Sequence, residues 1–238
     1  AQYLALMLFA HWNASRRRDP FAFLNRLQAY RAANAPDVAE FAQADIQTAA
    51  FWMATASGKT HVLHAALVLL TEDDDFGRIV VVTPNEGLTR QHVAKLRATG
   101  LWRVFGSPMD GDAQALGRTP PGTVVVLDIN KLRGEKTGKN GNGDGVTLPV
   151  SDFAQGRNLV LVDEGHKGQK SNSAEGGTWK ALQRQMAGIG IADPARRGLL
   201  IEFSATFGQV AKQEGTRDAY GKTIIFDYAY DRFHADLY

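Results

Sequence analysis

The sequence predicts an α/β fold in which a doubly wound, mainly parallel sheet has helices on both faces, and three observations support this prediction. Short apolar runs rich in Val, Ile and Leu recur along the chain, which is typical of strands buried on both faces of a parallel sheet. Stretches with helical spacing separate these runs, as the crossover helices of such a sheet would. The composition, with 44% hydrophobic and 22% charged residues, is that of a globular protein with a sizeable core.

The individual elements follow from these patterns in chain order. The predicted strands are residues 49–53, 79–83, 123–127, 159–162 and 199–203. The predicted crossover helices are residues 61–70, 86–97 and 178–187. Because strands and helices alternate, each strand is expected to run parallel to its neighbours.

Residues 1–46 are predicted to form a helical extension ahead of a single lobe at 47–238. Asp19 and Pro20 together favour a helix start, since an aspartate cap is followed by proline at the first helical position. Apolar residues then recur at helical spacing, at Phe23, Leu27 and Tyr30.

Charge and cysteine content narrow the class of protein. The net charge of +2 is too small to indicate a nucleic-acid binder by itself, and the absence of cysteine excludes disulfides and thiolate metal sites. The apolar run at residues 4–10 is far shorter than the roughly 20 residues of a membrane span, and basic residues follow it rather than precede it. We therefore expect a cytoplasmic protein without a membrane partner.

A phosphate-binding loop is predicted between the first strand and the helix after it, where the chain reads ATASGKT at residues 54–60. Backbone N–H groups at such a helix start favour phosphate, Lys59 adds a positive charge, and Gly58 allows close backbone approach. Met53 and Ala56 depart from the Walker A pattern, which has glycine or alanine at the first position and usually glycine at the second. The predicted ATP-binding residues are Thr55, Ala56, Ser57, Gly58, Lys59 and Thr60.

Two adjacent carboxylates follow the strand at 159–162. Asp163 and Glu164 are expected to face the same crevice as the phosphate loop, because ligands gather at the carboxyl ends of parallel strands. Asp163 would hold Mg²⁺ together with the hydroxyl of Thr60, and Glu164 would orient and deprotonate a water. Taken alone, the two acids are equally compatible with a solvated turn. The phosphate loop upstream favours Lys59, Asp163 and Glu164 as catalytic residues.

Four motifs in this order make the chain similar to the DExH helicases of superfamily 2. They are the loop at 54–60, Thr83-Pro84-Asn85, Asp163-Glu164-Gly165-His166 and Ser204-Ala205-Thr206. The sequence around these motifs resembles that of the type III restriction-subunit branch of the DEAD/DEAH-box proteins. The resemblance covers roughly residues 49–238 and implies the RecA-like P-loop NTPase fold of an N-terminal helicase lobe.

The resemblance also implies roles for individual residues. His166, Ser204 and Thr206 would couple the nucleotide state to lobe movement. The residues that would contact the nucleic-acid backbone are Thr83, Pro84, Asn85, Arg90 and Lys131. A helix start near Asn85 suits a phosphate contact for the same dipole reason as the phosphate loop.

The function implied is hydrolysis of ATP, with Mg²⁺ as cofactor, coupled to movement on nucleic acid. DNA is favoured over RNA, and a restriction or defence system over other pathways. A second RecA-like lobe, absent from these residues, would supply the arginine finger, so the isolated lobe is expected to hydrolyse ATP slowly. A methyltransferase or nuclease subunit is a candidate partner. Two alternatives stay open: a catalytically silent interaction module, and a P-loop ATPase that does not act on nucleic acid.

Overall fold

The computed structural model describes residues 1–73, 76–107, 109–110, 119–129, 132–133, 148–149, 156–165, 174–205 and 220–236. The helices are α1 (Gln2–Arg18), α2 (Pro20–Asn34), α3 (Lys59–Asp73), α4 (Glu86–Thr99), α5 (Ala174–Met186) and α6 (Tyr230–Ala235). The first strands are β1 (Thr48–Met53), β2 (Arg78–Thr83), β3 (Arg103–Gly106), β4 (Thr123–Asp128) and β5 (Leu132–Arg133). The remaining strands are β6 (Leu148–Pro149), β7 (Asn158–Asp163), β8 (Leu199–Ser204) and β9 (Ile224–Tyr228).

Seven of these strands form one sheet in the order β3-β4-β2-β7-β8-β1-β9. The β3–β4, β4–β2, β2–β7 and β1–β9 pairs are all parallel. The predicted α/β fold with a parallel sheet is therefore confirmed. β5 and β6 form a separate, short parallel pair.

The five predicted strands are the five central strands of this sheet, and the two strands that the pattern did not predict, β3 and β9, are at its edges. Every residue of β4, β7 and β8 is buried, which accounts for the largely apolar runs seen in the sequence. The edge strands mix buried and half-buried positions, and Arg103 of β3 is exposed, so their apolar signal is interrupted.

The chain divides into two compact units, the first made of Ala1–Asp74 with Ile201–Tyr238 and the second of Asp75–Leu200. Because these units cut the chain elsewhere, the predicted boundary between residues 46 and 47 stays a prediction. In the first unit, the predicted N-terminal extension contains the helices α1 and α2, and the Asp19 side chain caps α2 by accepting from the backbone N–H of Ala22 at 2.9 Å.

Aromatic packing joins α1 to the strands of the first unit. The ring of Phe9 stacks on Trp12 and lies 5.6 Å from the ring of Phe51 on β1. Phe51 in turn stacks on Phe203 of β8, with ring centroids 4.7 Å apart and planes 3° from parallel. Phe9, Phe51 and Phe203 are fully buried, so α1 contributes to the core of this unit.

The second unit has an aliphatic core between its strands and α5. Its buried members are Val80, Val82, Val125, Leu127, Val160, Val162, Leu182, Met186, Ala187 and Leu200. Valine predominates in the strand positions, as expected for β-branched side chains on a pleated surface. Within the part of the chain that the structure describes, no helix is both long and apolar enough to cross a membrane.

Candidate functional site

The predicted phosphate loop is a tight turn between β1 and α3. The backbone N–H of Ala54 donates to the carbonyl of Tyr228 at 2.9 Å, and that of Ser57 donates back to the carbonyl of Ala54 at 3.2 Å. The helix then begins at Lys59, and the N–H of His61 donates to the carbonyl of Gly58 at 2.9 Å. The strand, turn and helix that a phosphate loop requires are therefore all present.

Two residues of this loop have left-handed backbone conformations. Gly58 has φ +90°, where glycine has no steric penalty, but Ala56 has φ +67° and carries a methyl group. Left-handed backbone costs an alanine roughly 1–2 kcal/mol. The departure from glycine at position 56 is therefore a site of backbone strain, and the Ala56 side chain is exposed.

Gln2 at the start of α1 contacts this loop, and the sequence analysis did not anticipate it. Its side-chain Nε2 donates to the carbonyl of Ser57 at 3.0 Å. A Cβ added to Gly58 would lie 1.9 Å from the same nitrogen. Gly58 is thus favoured by its backbone angle, and a Cβ at this position would in addition displace the flexible Gln2 side chain. No local pattern signals a contact between residues 55 positions apart.

In the second unit, the two predicted carboxylates lie at the end of β7. Asp163 is the last residue of the strand and is 3% exposed, whereas Glu164 is half-buried. Glu164 has φ +57°, an uncommon conformation for a side chain of this type. Ala56 and Glu164 are the two non-glycine residues with positive φ among those that the structure describes. Such strain clusters at functional sites.

A small cleft brings several of the predicted residues of the second unit together. Its lining residues are Val82, Thr83, Pro84, Ile129, Val162, Asp163, Glu164, Gly165 and Gln183. β2 pairs in parallel with both β4 and β7, so the carboxyl ends of the three strands meet at this cleft. The cleft has room for about one water molecule.

The predicted nucleic-acid contacts near this cleft differ in their exposure. Thr83 is buried, and its hydroxyl lies 2.6 Å from that of Thr89 on α4. Asn85 caps α4 by accepting from the N–H of Leu88 at 3.0 Å. Arg90 is 62% exposed and donates to Glu86 one turn earlier. Of these residues, Arg90 offers a charged side chain to solvent.

The structure describes only some of the remaining predicted residues. Ser204 ends β8 and is fully buried, and the indole N–H of Trp52 donates to the carbonyl of the next residue, Ala205, at 3.2 Å. His166, Thr206 and Lys131 lie outside the described residues. Their predicted roles stay predictions.

One further polar contact of this site was missed by sequence reasoning. His92 on α4 lies 3.0 Å from a carboxylate oxygen of Asp163, and both side chains are almost completely buried. The two residues are 71 positions apart, and His92 lies within a helical apolar stripe that by itself predicts core packing.

Comparisons with known proteins place the chain within one family. Residues 24–209 match the family model described as type III restriction enzyme, res subunit. No curated protein gives a significant match. Among solved structures, the UvsW helicase from bacteriophage T4 is similar at 15% identity with a TM-score of 0.46, over 76% of this chain and 54% of that one.

Two restriction enzymes are similar over more of this chain. The ATP-dependent type ISP restriction-modification enzyme LlaBIII bound to DNA matches at 13% identity and a TM-score of 0.47, over 90% of this chain and 15% of that one. A nuclease-deletion mutant of the type ISP enzyme LlaGI, in complex with a DNA substrate mimic, matches at 10% identity and a TM-score of 0.43 over 90% and 20%. This chain thus spans about half or less of each of these three solved chains.

Proposed function

Because the chain belongs to the family of type III restriction enzyme res subunits, we propose that it is the ATP-binding lobe of a nucleic-acid-dependent ATPase of the helicase or translocase type. The observation that carries this proposal is the turn from β1 into α3, with Lys59 as the first residue of the helix. Backbone N–H groups and the positive end of the helix dipole make such a turn a binding site for phosphate groups.

In this proposal, residues 55–60 hold the phosphates of ATP. The Lys59 ammonium would pair with the terminal phosphates, and Gly58 would let the backbone approach them without a Cβ. The hydroxyl of Thr60 and the carboxylate of Asp163 would bind Mg²⁺, and both are oxygen donors of the kind that this ion prefers. Bound Mg²⁺ would neutralise charge on the phosphates.

Glu164 is proposed as the general base. Its carboxylate would accept a proton from the attacking water and orient it toward the terminal phosphate, because phosphoryl transfer depends mainly on positioning and charge neutralisation. The left-handed backbone of Glu164 supports this role, since strain is retained where function requires a particular geometry.

We propose that the nucleic acid is DNA and that it contacts Thr83, Pro84, Asn85, Arg90 and Lys131. The exposed Arg90 guanidinium and the N-terminal end of α4 would bind backbone phosphates. His166, Ser204 and Thr206 would couple the nucleotide state to movement of a second RecA-like lobe. A methyltransferase or nuclease subunit of a restriction system is the proposed further partner.

Isothermal titration of Mg·ATP into this chain tests nucleotide binding directly. Replacing Lys59 by alanine removes a charged hydrogen bond worth about 1.5–3 kcal/mol, so we expect affinity to fall about tenfold to hundredfold. Lys95→Ala on α4 is the matched control and should bind as the wild type does. Absence of binding by the wild-type chain would contradict the proposal and favour the catalytically silent module.

Stimulation by nucleic acid separates the two enzymatic alternatives. An arginine finger is worth on the order of 10³–10⁵ in rate in P-loop GTPases, so this chain alone should turn over slowly. A form of the protein that includes the second lobe should hydrolyse ATP faster when DNA is added. A rate that is unchanged by both DNA and RNA would favour a P-loop ATPase that acts on another substrate.

A further inference from the structure

The buried face of α4 is an unusual place for an ionisable side chain. Its members are Thr89, His92, Val93 and Leu96, which recur at helical spacing and face the protein interior. His92 is completely buried at a position where an aliphatic residue would bury more apolar surface. A histidine in such a stripe needs a polar partner inside the protein.

That partner is the carboxylate of Asp163. The Nε2 atom of His92 lies 3.0 Å from Oδ2 of Asp163, and their side chains are 1% and 3% exposed. A carboxylate that binds Mg²⁺ must be ionised and then only accepts hydrogen bonds, so in that state Nε2 of His92 carries the hydrogen and donates it. A bond of this kind is strengthened by the charge on the acceptor, and at this depth bulk water does not compete for it.

The cleft and His92 lie on different sides of the Asp163 carboxylate. Asp163 lines the cleft with Glu164 and Thr83, whereas His92 is absent from the lining residues that the structure describes for that cleft. His92 therefore contacts the carboxylate from the α4 side. A donor in this position limits rotation of the Asp163 side chain without occupying the cleft.

We propose that His92 is a positioning residue, which holds the Asp163 carboxylate in one orientation so that it can bind Mg²⁺. The inference rests on the proposed function, because it concerns the same metal-binding carboxylate. Residues that orient a metal ligand in this way typically contribute tenfold to hundredfold to metal affinity. His92 is expected to contribute in that range.

The first experiment measures how much Mg²⁺ the chain needs to bind a fluorescent ATP analogue. For His92→Leu, which removes the donor, we expect the Mg²⁺ concentration at half-saturation to rise tenfold to hundredfold, with metal-free nucleotide binding unchanged. His92→Gln keeps an N–H at a similar reach and should restore most of the Mg²⁺ affinity. Gln91→Leu, at the exposed neighbouring position on α4, is the matched control.

The outcomes separate this inference from the proposed function. If the wild type binds the analogue and His92→Leu needs no more Mg²⁺ than the wild type, the inference is wrong and the proposed function stands. If His92→Leu lowers binding equally with and without Mg²⁺, the residue has only a structural role and the inference is again wrong. If the wild type binds no nucleotide at any Mg²⁺ concentration, both the inference and the proposed function are wrong.

A second experiment needs no nucleotide. Nitrogen-15 NMR of the His92 imidazole should show the hydrogen on Nε2 in the wild-type chain, and Asp163→Ala should shift that resonance because its acceptor is lost. Thermal unfolding of the variants shows whether they are folded. A wild-type spectrum with the hydrogen on Nδ1 and none on Nε2 would overturn the inference whatever the binding data show.

Discussion

The phosphate loop and the acidic turn after β7 each hold a non-glycine residue in left-handed backbone, and they differ in what that residue does. In the loop it is Ala56, whose methyl group is exposed. In the turn it is Glu164, whose half-buried carboxylate lines the cleft and is the proposed general base. Similar backbone strain is thus found beside an inert side chain in one region and beside a proposed catalytic one in the other.

The comparison distinguishes strain that a substitution could relieve without loss from strain that comes with a functional side chain. Glycine would remove the strain at Ala56 without taking away a functional group, so that strain is dispensable. At Glu164, glycine would remove the strain and the carboxylate together. Only in the second case would the proposed chemistry require a residue that the backbone disfavours.

The largest expected effect concerns the acidic turn. Replacing Glu164 by glutamine keeps the size of the side chain and removes the base, so single-turnover hydrolysis of ATP should slow by about 10²–10⁴. Mg·ATP affinity and the unfolding temperature should change little. Glu40→Gln, at an exposed position, is the control. If the Glu164→Gln variant hydrolyses ATP at the wild-type rate, Glu164 is not the general base and does not differ from Ala56 in having a catalytic role.

An intermediate effect on stability is expected at Gly58, where an added side chain would have a strained backbone and would also contact Gln2. Gly58→Ala should lower the free energy of unfolding by about 1–3 kcal/mol, because its backbone has φ +90°. The Gln2 side chain is flexible and can move away from the new Cβ. Urea unfolding of Gly58→Ala with and without Gln2→Ala separates the two causes, and full rescue by Gln2→Ala would contradict the backbone explanation.

The smallest expected effect is at Ala56. Its replacement by glycine relieves left-handed strain but adds freedom to the unfolded chain, so we expect a net gain of about 0.5 kcal/mol in unfolding free energy. The same change at Ala94, an exposed position inside α4, should cost about 1 kcal/mol instead. Thermal unfolding of both variants tests the opposite signs. A loss at both positions would mean that Ala56 is not strained.

Sequence reasoning predicted the central part of the fold and missed its edges for one physical reason. β7 and β8 are buried along their whole length, and their apolar runs are recognisable, with four successive apolar residues in β7 and a single charged residue, Glu202, within the run of β8. The edge strand β9 alternates less regularly because part of it is half-buried. Its sequence at 224–228 includes a polar residue, Asp227, that interrupts the run.

At the candidate site, the residues that follow a local sequence pattern could be predicted, whereas contacts between distant positions could not. Thr83 and Asp163 could be assigned to one edge of the sheet, because parallel strands bring their carboxyl ends together. Gln2 and His92 could not be assigned, since their contacts join positions far apart in the chain. The left-handed angle at Glu164 was also unforeseen, because glutamate has no preference for that conformation.

The packing of α1 has a practical consequence for anyone who produces shorter versions of this protein. A version that begins at residue 47 would lose Phe9 and leave the ring of Phe51 without one of its aromatic neighbours. Exposed aromatic surface beside a sheet promotes aggregation. Such a version is expected to be poorly soluble even though the phosphate loop itself is intact, so shortened forms should keep α1.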